Sequence, residues 1–235
     1  MRKRALPLNR GWPTIAIVNR STNIEQSRLR LAVAAIQKQI ERDFFPVWGW
    51  RAKLTVTNNP RPRMMRITLK NINPDRDDAE GYHFSAAGVP RAEVYTHDND
   101  RTAYEAQEVF ATLSHEVLEM IADPDVNLYA SDYHLFRGRR HRAFIAVEVC
   151  DAVQNHSYKI DGIRVSDFVV PEWFESKHRP GSMRFSFKDN VSAPLTRAEG
   201  GYLDIVILGS LRQIGGRRRK PRHRMQARKR QLDGA

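Results

Sequence analysis

His115-Glu116-Val117-Leu118-Glu119 is the stretch of this chain whose residue types and spacing suit metal chemistry. In the H-E-x-x-H arrangement of metal-dependent proteases, two ligands four residues apart share one helix face, and the adjoining glutamate activates water. Here His115 and Glu119 hold the ligand positions and Glu116 the water-activating one. Glutamate replaces the second histidine, and a carboxylate is also a zinc ligand. Without a metal, His115 and Glu119 would be an ordinary (i, i+4) polar pair facing water.

A third ligand must come from another segment, and Glu148-Val149-Cys150-Asp151 is the best placed. Glu148 would share a strand face with Phe144 and Ala146, where an unpaired carboxylate is costly and a cation would answer it. Asp151, at the strand exit, is the alternative ligand, or orients one. The competing reading of Glu148 is a salt bridge to an arginine. His83, His97, His134, His141 and His156 read as surface or loop residues, with His97 placed to face the cleft after a strand. Cys150, the only cysteine, reads as a small buried apolar residue, and a lone cysteine excludes an internal disulfide. One imidazole with two carboxylates suits Zn²⁺ first. The set is harder than that of a zinc protease, so manganese, iron or calcium also fit. The second carboxylate should weaken the ion as a Lewis acid, so low or absent activity is one expected outcome.

The elements that must position these residues follow from periodicity. Thr102 and Glu105 have capping-box spacing at the head of the motif helix, which should end near Ala122 before Pro124. At about 100° per residue, Ala106, Val109, Phe110, Leu113, Val117, Met120 and Ile121 form its apolar face, with His115 and Glu119 opposite. Upstream, Ile15 to Val18 reads as a buried strand. Thr22 and Glu25 predict a second capping box, and Leu29, Val33, Ile36, Ile40 and Phe44 a helical stripe that Pro46 ends. Ala52 to Val56, Ile67 to Leu69, Ala92 to Thr96, Ala143 to Val149 and Leu203 to Leu208 read as strands, and 71–90 as a polar loop. Asp161-Gly162 between two short apolar runs predicts a hairpin. Asp123 is expected to help the chain turn at Pro124.

An apolar fraction of 41% over 235 residues predicts a globular protein. No apolar run approaches a membrane span or an export core, so the expected location is cytoplasmic, with no membrane partner. The net charge of +12 sits at the ends: residues 1–4 carry +3 and 212–235 carry +9, leaving a neutral body. The expected layout is a basic arm (1–11), one domain (12–211) and a basic disordered tail (212–235). In the tail, Arg217, Arg218, Arg219, Lys220, Arg222 and Arg224 are candidate contacts to nucleic acid or another polyanion. The bland alternative is a solvated tail, and no aromatic residue there suggests base stacking.

Ser114-His115-Glu116-Val117-Leu118-Glu119, then Ala122-Asp123-Pro124, then Glu148-Val149-Cys150-Asp151, resembles a group of bacterial and phage-associated zincin-like proteins. In that group an S-H-E-x-x-E-x-x-x-D-P helix precedes an E-x-x-D segment. Plant exordium-like proteins are distantly similar, with S-E-x-A-E in place of the histidine-containing motif. Asp43-Phe44-Phe45-Pro46-Val47-Trp48-Gly49 is similar to another recurring element of the bacterial group, and the matching segments span 40–175. The resemblance implies an α+β, zincin-like fold: a twisted mixed sheet, a backing helix over about 24–44 and the motif helix beneath the sheet. It also implies an edge strand that takes an extended peptide by strand addition, with Ala92 to Thr96 the candidate. Two function classes follow. The first is a zinc-dependent hydrolase, a metallopeptidase acting on peptide or protein. The second is a non-catalytic structural or cargo protein on the same scaffold, whose basic tail docks on nucleic acid or an acidic partner.

Overall fold

In the computed structural model, residues 12–74, 79–97 and 104–216 are described, with backbone only at 134–136. The fold is α+β. Its first layer is a five-stranded mixed sheet in the order β2-β1-β3-β5-β4. The strands are β1 (Thr14–Asn19), β2 (Lys53–Val56), β3 (Met65–Lys70), β4 (Gly81–Ala86) and β5 (Val89–Tyr95). The first four in that order run parallel, and β4 returns antiparallel along β5. Register aligns Ile15 with Leu54, Ile17 with Ile67, Ile67 with Ala92 and Leu69 with Val94. These side chains therefore share one face. They form one apolar core with Leu29, Val33 and Ile36 of helix α1 (Gln26–Gln39) and Val109, Leu113 and Val117 of helix α3 (Ala106–Ala122).

The predicted stripe of Leu29, Val33, Ile36, Ile40 and Phe44 is buried throughout. Pro46 does not end it. The chain widens into a π turn at Ile40–Phe44, where the Phe45 N–H donates to the Ile40 carbonyl. That wider turn admits the proline ring at the start of helix α2 (Phe45–Trp48), which stops at left-handed Gly49. The capping box at Thr22 also fails. The Thr22 N–H instead donates to Asn71 Oδ1 at 2.9 Å, tying the end of β1 to the end of β3, and Glu25 takes the N-cap position without a side-chain bond. The second capping box shares part of that fate: Glu105 is itself the N-cap of α3 and its side chain makes no cap bond, while Thr102 lies outside the described residues.

A second, antiparallel sheet runs β11-β10-β7-β6, from β6 (Tyr129–Phe136), β7 (Arg139–Ala146), β10 (Tyr202–Ile207) and β11 (Ser210–Gly215). β11 carries the folded unit to Gly215, past the expected boundary at 211. Leu211 and Ile214 pair across the ladder with Val206 and Leu203, so 212–215 belong to the sheet rather than to a tail. The Asp161-Gly162 turn joins β8 (Ser157–Ile160) to β9 (Ile163–Ser166) as expected, with both turn residues at positive φ.

The predicted loop over 71–90 is the largest correction. Gly81 to Ala86 is a strand, turned back at Ala87 and Gly88, both at positive φ. β4 is the outer strand of the sheet and β5 lies inside it, so Ala92 to Thr96 is not the edge. Among the described residues, no helix is long and apolar enough to cross a membrane.

Candidate metal centre

Helix α3 meets the sheet at β4 and β5 and meets the hairpin at β9. Its apolar face is buried at Val109, Phe110, Leu113, Val117 and Met120, as the periodicity predicts. Polar positions are buried as well: Ser114 and Glu116, which flank the apolar face, and Glu119, opposite it, are all at most 2% exposed. With Glu119 fully buried and the His115 side chain 12% exposed, the pair is not a solvated surface pair.

Ser114 fixes the helix against its neighbours. Its hydroxyl donates to Gln39 Oε1 at 2.7 Å and accepts the Ser166 N–H at 3.0 Å. Gln39 Nε2 then donates to the Ser166 carbonyl at 2.7 Å, closing a ring among α1, α3 and β9. At the other end, Asp123 accepts the N–H groups of Asn127 and Leu128, both at 2.9 Å, and so makes the expected turn. The glycine at 81 lets β4 press on the helix. A Cβ there would lie 2.9 Å from Thr112 Cγ2 and 3.0 Å from Glu116 Oε1.

The two predicted segments converge. His115 Nε2 lies 3.0 Å from Glu119 Oε1 and 3.1 Å from Asp151 Oδ1. Glu148 is not on the strand face shared by Phe144 and Ala146. β7 ends at Ala146, where the Glu148 N–H turns back to the Ala146 carbonyl. Asp151 opens a short 3₁₀ turn, Asp151–Val153, that aims it at the helix. Both acids join the cluster, because Glu119, Glu148 and Asp151 each place an oxygen within 4.8 Å of the others.

His83 was missed. Its partner in the ladder is Ala92, so it points to the helix side of the sheet, and it is 1% exposed. Its Nδ1 lies 3.5 Å from Glu119 Oε2 and 3.7 Å from Glu116 Oε2, and its Nε2 lies 3.9 Å from Glu148 Oε2. The alternation Tyr82-His83-Phe84 before Ala87-Gly88 was the available signal. His97, His141 and His156 lie outside the cluster, and the side chain of His134 is outside the described residues.

Six side chains thus meet: four carboxylates and two imidazoles, all buried except His115, whose side chain is 12% exposed. Burial pulls the His115 imidazole down, but Glu119 and then Asp151 outweigh it and hold its pKa well above the ordinary value. Carboxyl groups outnumber imidazoles in this cluster by four to two. Crowding acids out of water is expensive, and a divalent cation would offset that cost. The donor chemistry therefore fits a hard to borderline cation, and the site offers more oxygen than a protease zinc site does. Cys150 is buried near His115 and Glu119. Burial, then the Glu119 charge, push its thiol well above its usual range. The candidate polyanion contacts Arg217, Arg218, Arg219, Lys220, Arg222 and Arg224 lie outside the described residues.

Comparison with protein-family models, with curated proteins and with solved structures found no match for this chain.

Proposed function

We propose that this chain is a metal-dependent hydrolase of zincin-like architecture, acting on peptides. The observation that carries the reading is the meeting of His115 Nε2 with Glu119 and Asp151 at 3.0 and 3.1 Å, from two segments remote in sequence. His115, Glu119 and Asp151 would hold the cation, with Glu148 beside them. When bound, Zn²⁺ would polarise a scissile carbonyl and lower the pKa of water. Glu116, on the same helix, would take the proton from the attacking water and pass it to the leaving amine. His83, within 3.7 Å of Glu116, would orient that carboxylate. The outer strand β4, rather than Ala92 to Thr96, would receive an extended substrate by strand addition.

Metal analysis of protein purified without a histidine tag tests the metal half. About one equivalent of zinc is expected, lost in His115→Ala with the fold retained by circular dichroism. A folded, metal-free wild type would end the reading. Cleavage of a peptide library tests the other half: Glu116→Gln should keep the metal and lose at least about 100-fold in rate, the scale of general-base catalysis.

A second reading is favoured by the burial of Glu116 to 2% exposure and by the glutamate in place of a second imidazole. On this reading the centre is structural, and the chain is a scaffold or cargo protein whose basic tail binds nucleic acid or another polyanion. Such binding should weaken steeply with salt and vanish on truncation after Gly216. Binding that ignores salt, or that persists in the truncated chain, would remove it.

A further inference from the structure

The five-stranded sheet has a second face, turned away from the two long helices. Alternation sends Ile67 and Leu69 of β3 to the core and leaves Arg66 and Lys70 on that second face. Arg66 pairs directly with Arg91 on β5, and Arg91 pairs with Phe84 on β4. These residues, with Arg20 and Glu93, line a concavity of about 310 Å³.

Charge there is one-sided, with four cations against Glu93 alone. Glu93 is already engaged, accepting Lys70 Nζ at 2.5 Å and the Tyr95 hydroxyl at 2.7 Å. Arg20 donates to the Asn58 carbonyl at 3.1 Å. Among the described residues, neither Arg66 nor Arg91 has a hydrogen-bonding side-chain partner or a carboxylate, and Arg91 Nη1 is shielded from water without an acceptor. Burial, then the neighbouring Arg91 charge, lower the Arg66 pKa from its usual value. Like charges directly opposite in a sheet are destabilising, and a guanidinium nitrogen shielded from water without an acceptor adds to the cost. An anion between the two forks would answer both.

We propose that this concavity binds a phosphate-bearing small molecule of mononucleotide size, its phosphate held between the guanidinium groups of Arg66 and Arg91. Cross-strand neighbours on one face, the two planar forks can together meet the oxygens of one phosphate, and Arg20 and Lys70 add charge in the same concavity. The volume lies at the low end for small-molecule sites. The ring of Phe84, half-buried beside Arg91, offers an apolar wall for a base or sugar. The face is opposite the one that carries His83, so this site does not depend on the metal reading.

Calorimetric titration with inorganic phosphate, ribose 5-phosphate and adenosine 5′-monophosphate tests it on the full chain. Saturable binding of all three is expected, with the nucleotide tighter than inorganic phosphate by at least about tenfold if the base contacts Phe84. Equal affinity for the nucleotide and ribose 5-phosphate would assign the site to phosphorylated sugars instead, which keeps the phosphate assignment. Arg66→Gln and Arg91→Gln should each weaken binding at least about tenfold, while Lys38→Gln and His115→Ala leave it unchanged. A melting curve guards against misfolding: phosphate should raise the wild-type midpoint and not that of Arg91→Gln. No saturable binding at millimolar ligand would overturn the proposal. So would binding that Arg91→Gln leaves intact.

Discussion

On the proposed metal reading, a Glu119→Gln variant is expected to fold and to fail to hold metal. Glu119 is the only residue that belongs to every group of potential ligands found among the described residues. One oxygen faces His115 at 3.0 Å and the Cys150 N–H at 3.4 Å, and the other faces His83 at 3.5 Å. Glutamine keeps the shape and removes the charge, so packing around this fully buried position changes little. Removing an outer partner of a metal ligand already weakens affinity by about 10–100-fold. Removing the shared carboxylate should exceed about 100-fold and leave the purified protein metal-free by mass spectrometry. In chelator, circular dichroism should show the fold retained, with a lower melting point because His115 loses its closest buried carboxylate partner. Full metal content in this variant would refute the assignment of Glu119.

The second large effect concerns stability. Ser114→Ala should destabilise the protein by about 2–4 kcal/mol in urea unfolding, because it strands the Gln39 carbonyl oxygen and the Ser166 N–H where water cannot reach. An exposed control, Ser27→Ala, should stay within about 0.5 kcal/mol. A loss as small as the control's would show that the ring among α1, α3 and β9 does not anchor the motif helix. The same substitution should also weaken metal binding, because Ser114 precedes His115 and sets the rotation of the helix that presents it.

Much of the site was legible because a helix is a local object. The spacing of His115, Glu116 and Glu119 places them from sequence alone, and the apolar stripe from Val109 to Met120 orients them. The convergence of Glu148 and Asp151 was legible as a need for partners, though not as geometry: the end of β7 at Ala146 depends on its pairing with β6. β6 was unread because Tyr129 to Phe136 mixes charged and aromatic residues without alternation. His83 was lost for a related reason. The polar run before Gly81 makes 71–90 resemble a loop, and only pairing with β5 makes β4 a strand. Long-range pairing of this kind leaves a weak local trace. The Arg66–Arg91 pair was equally hidden, since it exists only once β3 and β5 lie side by side.

Gly81 has a consequence for how the centre can vary. With Thr112 Cγ2 and Glu116 Oε1 both within 3.0 Å of where a methyl would sit, the outermost strand is seated on the motif helix through a contact that an added atom would force to shift. The same strand carries His83 two residues later. An alanine at 81 would push on Glu116, one of the three glutamates that face that imidazole. A histidine borne by the rim of the sheet thus shares its strand with the glycine that lets the helix come close.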